Sequence, residues 1–142
     1  MTDYPLQQTA TDLDIRTAIE ETLWAIDTVR ITHPTLEVTV HNGQATVSGV
    51  VNSPMIQGQI ESALQALGLP ELTLRLMNDD AVGYAAAYAL ATDARTRRIA
   101  PGYQLTAYNG HVALRGKLSP AEAAAAAEVI GAVSGVTGVK VN

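Results

Sequence analysis

The sequence HVALRG at residues 111–116 follows an Asn-Gly pair, and HNGQATVSG at residues 41–49 has the same form. A shift of 67 residues aligns 12–75 with 79–142 without a gap. The identities include Asp12 with Asp79, Asn42-Gly43 with Asn109-Gly110, Gly49 with Gly116, and Glu61 with Glu128. Self-similarity at one fixed spacing is typical of a repeated structural unit. The sequence therefore predicts two copies of one unit.

Each Asn-Gly pair predicts a tight β-hairpin, because both residues tolerate the positive φ angles of such a turn. In the first copy, pairing His41 with Gln44 places the apolar residues of both strands on one face of the sheet, so turn chemistry and hydrophobic alternation agree on the register. Gly49 then lies opposite Leu36, which predicts room there for a helix to approach the sheet.

Two helices flank the first hairpin. Thr11 or Asp12 can cap a helix with an apolar stripe at helical spacing, formed by Ile15, Ile19, Leu23 and Ile26. Ser53-Pro54 begins the second, which we expect to bury Ile56, Ile60, Ala63, Leu64 and Leu67 and to stop near Gly68. The segment ELTLRL at 71–76 predicts a closing strand.

The second copy repeats this order. Ser119-Pro120-Ala121-Glu122 forms a full capping box before a helix, and GVTGVKVN at 135–142 predicts the last strand. Each copy therefore predicts the order helix, strand, strand, helix, strand.

This pattern resembles the BON domain family, named for bacterial osmotically inducible and nodulation proteins. The residues that carry the resemblance are DLDIRTAIEETL (12–23), LEVTVHNGQATVSGVV (36–51) and LTAYNGHVALRGKLSPAEAAAAAEVIGAVSGVTGVKVN (105–142). The first copy departs from the family at LGLPELTLRL (67–76), where a V-x-GV step is usual. The motifs are specific for a fold and weak for a ligand.

The resemblance implies an α+β protein of two tandem αββαβ units, at residues 11–77 and 78–142. In each unit two helices would pack on one face of a three-stranded mixed sheet. It further implies a bacterial, non-catalytic protein, linked to stress response, that binds phospholipid membranes or other envelope and partner molecules; some members sense small ions.

Composition and charge narrow the class of protein. Hydrophobic residues make up 47% of the 142 residues and charged residues 16%, which is typical of a globular chain. The absence of cysteine excludes disulfides and cysteine-ligated zinc. The net charge of −5 argues against nucleic acid as a partner. Residues 1–75 hold nine acidic and three basic side chains, giving −6, whereas residues 76–142 hold five and six, giving +1.

The first twelve residues, MTDYPLQQTATD, have neither the basic segment nor the apolar core of a secretory signal. We therefore expect a cytoplasmic protein, with the periplasm or envelope as the alternative if a signal was removed. The longest apolar run is too short to predict a membrane-spanning helix.

No catalytic residue, metal site or cofactor is expected. His33, His41 and His111 have no spacing that matches a triad or a metal site. Asp79-Asp80 resembles a carboxylate pair, but it lies where a helix begins, and favourable charge at that end explains it better.

Three groups of residues are candidates for binding. The first is the open sheet face of the second copy, where Tyr108, Arg115, Lys117 and Lys140 could receive an anionic partner, although a solvated face is the simpler interpretation. The second is Arg95, Arg97 and Arg98, which either complement the end of a helix or bind an anion. The third is the aromatic set Trp24, Tyr84 and Tyr88, which favours an interface between copies or subunits and, less readily, a small-ligand site.

The function predicted from the sequence is a binding or interaction module. Its partner would be phospholipid headgroups, another anionic molecule or a protein. The alternatives are a cytoplasmic scaffold that forms homo-oligomers and an ion or small-molecule sensor.

The Ala-rich helix that carries Tyr84 and Tyr88 is apolar nearly all round, which predicts burial on more than one face.

Overall fold

The computed structural model describes residues 11–99 and 102–142, so most of the N-terminal segment tested for a secretory signal lies outside the described residues. The chain divides into two compact units, Met1–Met77 and Asn78–Asn142. Each unit has the predicted α+β class and a three-stranded sheet, so the fold prediction is confirmed; the first unit adds one short helix to the predicted order of elements.

The first unit contains three helices and three strands within the described residues. They are α1 (Asp12–Trp24), α2 (Asp27–Thr32), β1 (Leu36–His41), β2 (Gln44–Val51), α3 (Pro54–Gln65) and β3 (Leu72–Asn78). The sheet order is β1-β2-β3. Strand β2 is antiparallel to β1. The amide of Ala45 at the start of β2 donates to the carbonyl of Glu71 just before β3 (2.9 Å), so β2 and β3 run in the same direction.

The second unit contains α4 (Asp79–Thr92), β4 (Gln104–Tyr108), β5 (His111–Arg115), α5 (Pro120–Gly131) and β6 (Gly138–Val141). Its sheet is mixed, because β5 is antiparallel to β4 and parallel to β6. Helix α5 begins with the predicted capping box: Ser119 Oγ accepts from Glu122 N (3.1 Å), and Glu122 Oε1 accepts from Ser119 N (2.8 Å).

The predicted hairpin register is confirmed in the first unit. His41 pairs with Gln44, Val38 with Val47, and Leu36 with Gly49. The inward face of this sheet packs under α1 and α3, where the buried core residues are Ile15, Ile19, Leu23, Val29, Val38, Ala45, Val47, Val51, Ile56, Ile60, Leu64 and Leu76. Burial on one face of the sheet is what the period-2 alternation of the strands predicts.

The first helix differs from its prediction at its C-terminal end. Thr11 is its cap, through a capping box with Asp14, and its stripe is buried as far as Leu23. The helix then ends at Trp24, so the prediction that it extends to Ile26 is wrong, whereas the Ile26 side chain does pack against the core. Ile26 has an extended backbone and precedes the short helix α2, which turns the chain so that Val29 enters the core.

The prediction that Gly49 leaves room for a helix to approach the sheet is wrong. A Cβ atom at Gly49 would lie 2.7 Å from the carbonyl oxygen of Thr35 and 2.8 Å from Cδ2 of Leu36. The neighbouring strand therefore fills the space, and the φ angle of +149° adds a second reason for glycine at this position.

A carboxylate joins the start of a helix to the hairpin turn in both units. Asp12 accepts hydrogen bonds from the amides of Asn42 (3.0 Å) and Gly43 (2.9 Å). Asp79 accepts the equivalent bonds from Asn109 (2.6 Å) and Gly110 (2.8 Å), and it is only 6% exposed. From the sequence, Asp79 was explained by the favourable effect of a negative charge at the start of a helix. That explanation was incomplete, because the main role of Asp79 is to hold the turn. We call each pair of bonds a carboxylate–turn clamp.

We expect Asp79→Ala to lower the free energy of unfolding by about 2–3 kcal/mol, because two poorly accessible N–H groups lose a charged acceptor. Asp80→Ala is the matched control: this exposed neighbour contributes only about 0.5 kcal/mol through the helix dipole. Urea denaturation of the full chain measures both. Equal losses in the two variants would contradict a structural role for the clamp.

Candidate functional site

The open face of the second sheet is formed by side chains that point away from the two helices. Cross-strand pairing arranges them in rows: Gln104 with Arg115, Thr106 with Ala113, and Tyr108 with His111. Lys140 extends the middle row, because it pairs with Ala113 from the other side. Gln104, Thr106, Tyr108, His111, Arg115 and Lys140 are all exposed.

Two basic side chains lie in adjacent rows of this face. Ala113, the partner of Lys140, is two residues from Arg115 on β5, so both bases project from the same side of the sheet. Neither makes an ion pair with any residue in the described part of the chain. Lys117 is also exposed, but it lies in the loop between β5 and α5, so the strand register does not place it on the face.

The opposite end of the face is aromatic. Tyr108 and His111 flank the hairpin turn as a cross-strand pair. The His111 ring lies across β6, because a Cβ atom at Gly138 would be 2.7 Å from His111 Nδ1. We call the surface formed by Tyr108, His111, Arg115 and Lys140 the basic sheet face.

The equivalent face of the first unit has a different charge. The 67-residue alignment places Ser48 and Thr73 where the second unit has Arg115 and Lys140. Its charged residues are Glu37, Glu71 and Arg75, which are all exposed and together carry a net charge of −1. The positive charge of the basic sheet face is therefore a property of the second copy alone.

The arginines after α4 do not act as one cluster. Arg95 binds Asp93 through Nε (3.1 Å) and Glu128 through Nη1 (2.7 Å), so it joins this segment to α5. Its hydrogen bonds hold the pKa of the Asp93 carboxyl below its ordinary value, and the same bonds raise the pKa of Arg95. Arg97 and Arg98 are exposed and form no ion pair within the described residues.

The aromatic candidates occupy two separate places. Trp24, 49% exposed, lies at the end of α1 with its ring centroid 6.3 Å from that of His33. It lines a shallow cleft with Glu20, Leu23, Val29, Pro34, Thr35, Leu36 and Val38. Tyr84 and Tyr88 lie one turn apart on α4 and are 81% and 72% exposed.

Helix α4 buries only one of its faces in the described structure. The sequence predicted that more than one face would be buried. Its buried residues are Asp79, Val82, Ala86 and Leu90, all on one side of the helix. Tyr84 and Tyr88 share the opposite side with the exposed Ala81 and Ala91. An apolar helix surface is therefore open to solvent, which is the kind of surface that commonly receives a partner.

No group of three His, Asp or Glu side chains suited to a metal ion occurs among residues 11–99 and 102–142. In the same part of the chain, no helix has the length and apolar character needed to cross a membrane.

The carboxylate–turn clamp is the arrangement that the sequence interpretation missed. A signal for it was present, because Asp12 and Asp79 align with each other under the same shift that aligns the two Asn-Gly pairs. Since other residues recur under the same shift, the contact itself is visible only in the structure.

The model of the BON domain family matches residues 11–68 and 94–142. Among solved structures, the fold is similar to the C-terminal domain of CdsD, described as the structural protein of the type III secretion system of Chlamydia trachomatis. The TM-score is 0.66 at 16% identity, and the alignment covers 88% of this chain and 63% of that one. A second CdsD structure from the same organism aligns over 90% of both chains with a TM-score of 0.42 and 13% identity. No curated protein matches the chain.

We expect Arg95→Ala to lower the urea midpoint at neutral pH, and the difference from the unaltered protein to shrink at acidic pH. Folding lowers the pKa of Asp93, so this stabilisation is complete above the ordinary carboxyl pKa of 3.8 and is lost as the pH falls through the lower folded value. Arg97→Ala is the control, and its difference in urea midpoint from the unaltered protein should not shrink at acidic pH. A difference for Arg95→Ala that stays constant down to low pH would contradict the ion pair.

Proposed function

We propose that this chain, which belongs to the BON domain family, is a non-enzymatic interaction module that binds phospholipid headgroups through the basic sheet face. The observation that carries the proposal is the difference between the two copies. The second copy has Arg115 and Lys140 on this face, without an acidic residue, where the first copy has Ser48 and Thr73.

The chemistry of the face suits phosphate. A guanidinium can donate two parallel hydrogen bonds to phosphate oxygens, and Arg115 has no carboxylate partner among the described residues that would compete. Tyr108, at the other end of the face, has the apolar ring and polar hydroxyl that favour a membrane–water boundary.

The expected affinity of one face is low. Each basic side chain near an anionic membrane contributes about 1 kcal/mol, so Arg115 and Lys140 together contribute about 2 kcal/mol. That energy alone corresponds to weak, salt-sensitive binding. We therefore propose reversible association with a surface that presents many headgroups, since several contacts at once raise the overall affinity.

We expect the protein to co-sediment with vesicles containing anionic phospholipid, less so at moderate salt, and not with purely zwitterionic vesicles. Arg115→Ser with Lys140→Thr makes this face resemble that of the first unit and should weaken binding about 30-fold at low salt. Arg97→Ser with Arg98→Ser removes the same charge elsewhere in the second unit and serves as the matched control. A loss of binding only in this control would move the site to the segment after α4, and equal binding by all proteins would refute the proposal.

Self-association is a second candidate function, and the exposed aromatic face of α4 favours it. A second copy packed antiparallel would place Tyr84 against the other copy's Tyr88 and Ala81 against its Ala91. The acidic start of α4 would then lie near the arginines that follow its end in the other copy, which is the reciprocal arrangement a two-fold interface requires. The similar fold belongs to a structural protein of a secretion system.

For this candidate, we expect light scattering to give the mass of a dimer, and Tyr84→Ser with Tyr88→Ser to give the mass of a monomer. Trp24→Ser, an exposed aromatic of the first unit, is the control and should leave the mass unchanged. A monomeric mass for the unaltered protein would reject self-association without affecting the test of vesicle binding.

A further inference from the structure

The two Asn-Gly turns have the same clamp but different surroundings. In each, the glycine amide donates to an aspartate carboxylate, from Gly43 to Asp12 and from Gly110 to Asp79. This amide nitrogen is also the atom that can attack the neighbouring asparagine side chain. The clamp opposes that attack, because it holds the N–H in the turn and because the carboxylate charge disfavours the deprotonated nitrogen that reacts. The clamp therefore protects the asparagine for as long as the turn stays closed.

The second turn has additional contacts with the loop before β6. The carbonyl of Gly110 accepts a hydrogen bond from the amide of Thr137 (2.9 Å). A Cβ atom at Gly110 would lie 2.8 Å from the carbonyl oxygen of Gly135 and 3.0 Å from Oγ1 of Thr137, so the loop before β6 lies directly against the turn. Gly110 and Asp79 are both buried.

The first turn lacks this support for a reason that is visible in the sequence. The 67-residue alignment places Pro70 at the position of Thr137. Proline has no N–H, so it cannot donate the equivalent hydrogen bond to the carbonyl of Gly43. Within the part of the chain that the structure describes, no atom beyond the adjoining residues lies within 4 Å of a Cβ built at Gly43, and Asn42 is exposed. We therefore expect this turn to open more often than the second one.

We propose that Asn42 is a site of spontaneous deamidation in the folded protein and that Asn109 is protected from it. The Gly43 nitrogen attacks Cγ of Asn42, a new N–Cγ bond forms, and the bond from Cγ to the side-chain nitrogen breaks. Ammonia leaves, carrying the proton that the Gly43 nitrogen has lost. Water then opens the five-membered succinimide to aspartate or isoaspartate.

This reaction changes the clamp that normally restrains it. The product carries one more negative charge, next to the Asp12 carboxylate, and like charges at such close range repel. The isoaspartate product also inserts a methylene group into the backbone of a two-residue turn whose length sets the hairpin register. Modification of Asn42 therefore weakens the attachment of α1 to the hairpin of the first unit only.

The test is incubation of the full chain in mildly alkaline buffer, followed by tryptic digestion and mass spectrometry of the two peptides that contain Asn42 and Asn109. We expect Asn42 to deamidate about tenfold faster than Asn109, the effect of about one lost hydrogen bond. In concentrated urea both asparagines precede glycine in an open chain, so the two rates should become similar. Equal rates in the folded protein, a faster rate at Asn109, or no reaction at Asn42 would overturn the proposal.

Two exchanges test the cause. Pro70→Thr restores an N–H at the first turn and should slow the reaction at Asn42, whereas Thr137→Pro should accelerate it at Asn109. Asn42→Gln is the control for assignment and should abolish the product modified at residue 42, which fragmentation distinguishes from any product modified at Asn52 in the same peptide. If Thr137→Pro fails to fold, the ratio of the two rates in the unaltered protein still decides the proposal.

Discussion

The carboxylate–turn clamp is the contact on which the arrangement of each unit depends. It connects the first residue of a helix with a turn about thirty residues later, from Asp12 to Asn42-Gly43 and from Asp79 to Asn109-Gly110. The acceptor is charged and both donors are backbone amides, so the two bonds are stronger than neutral ones. With the helix start held at the turn, the apolar stripe of the helix lies over the inward face of the hairpin.

Because the helices and the inward sheet face supply the core, the opposite sheet face is free to differ between the copies. The face of the first copy carries Glu37, Glu71 and Arg75, whereas the described strands of the second copy place Arg115 and Lys140 on this face and no acidic residue. The loop before the last strand differs in the same way, with Pro70 in one copy and Thr137 in the other. The same αββαβ fold therefore occurs twice, with a chemically different sheet face and different contacts at the hairpin turn in each copy.

Most of the secondary structure could be predicted because it depends on neighbouring residues. The hairpin register follows from the Asn-Gly pair and the alternation around it, and Ser119 with Glu122 identifies a helix start. The prediction at Ile26 failed for a tertiary reason: the chain bends after Trp24 so that Val29 can enter the core. A stripe at helical spacing cannot show where a helix ends when both the helix and its successor face the same core.

By itself, the sequence determined the repeat, the order of the elements, the caps and the strand register, since each rests on the conformational preferences of residues close together in the chain. Only the tertiary structure decided that Asp79 holds a turn, that Arg95 is occupied by Asp93 and Glu128, and that Tyr84 and Tyr88 are exposed. These outcomes depend on which residues, often some thirty positions apart, meet when the helices pack on the sheet. The roles of these particular side chains are properties of that packing, which the alternation and spacing of apolar residues do not specify.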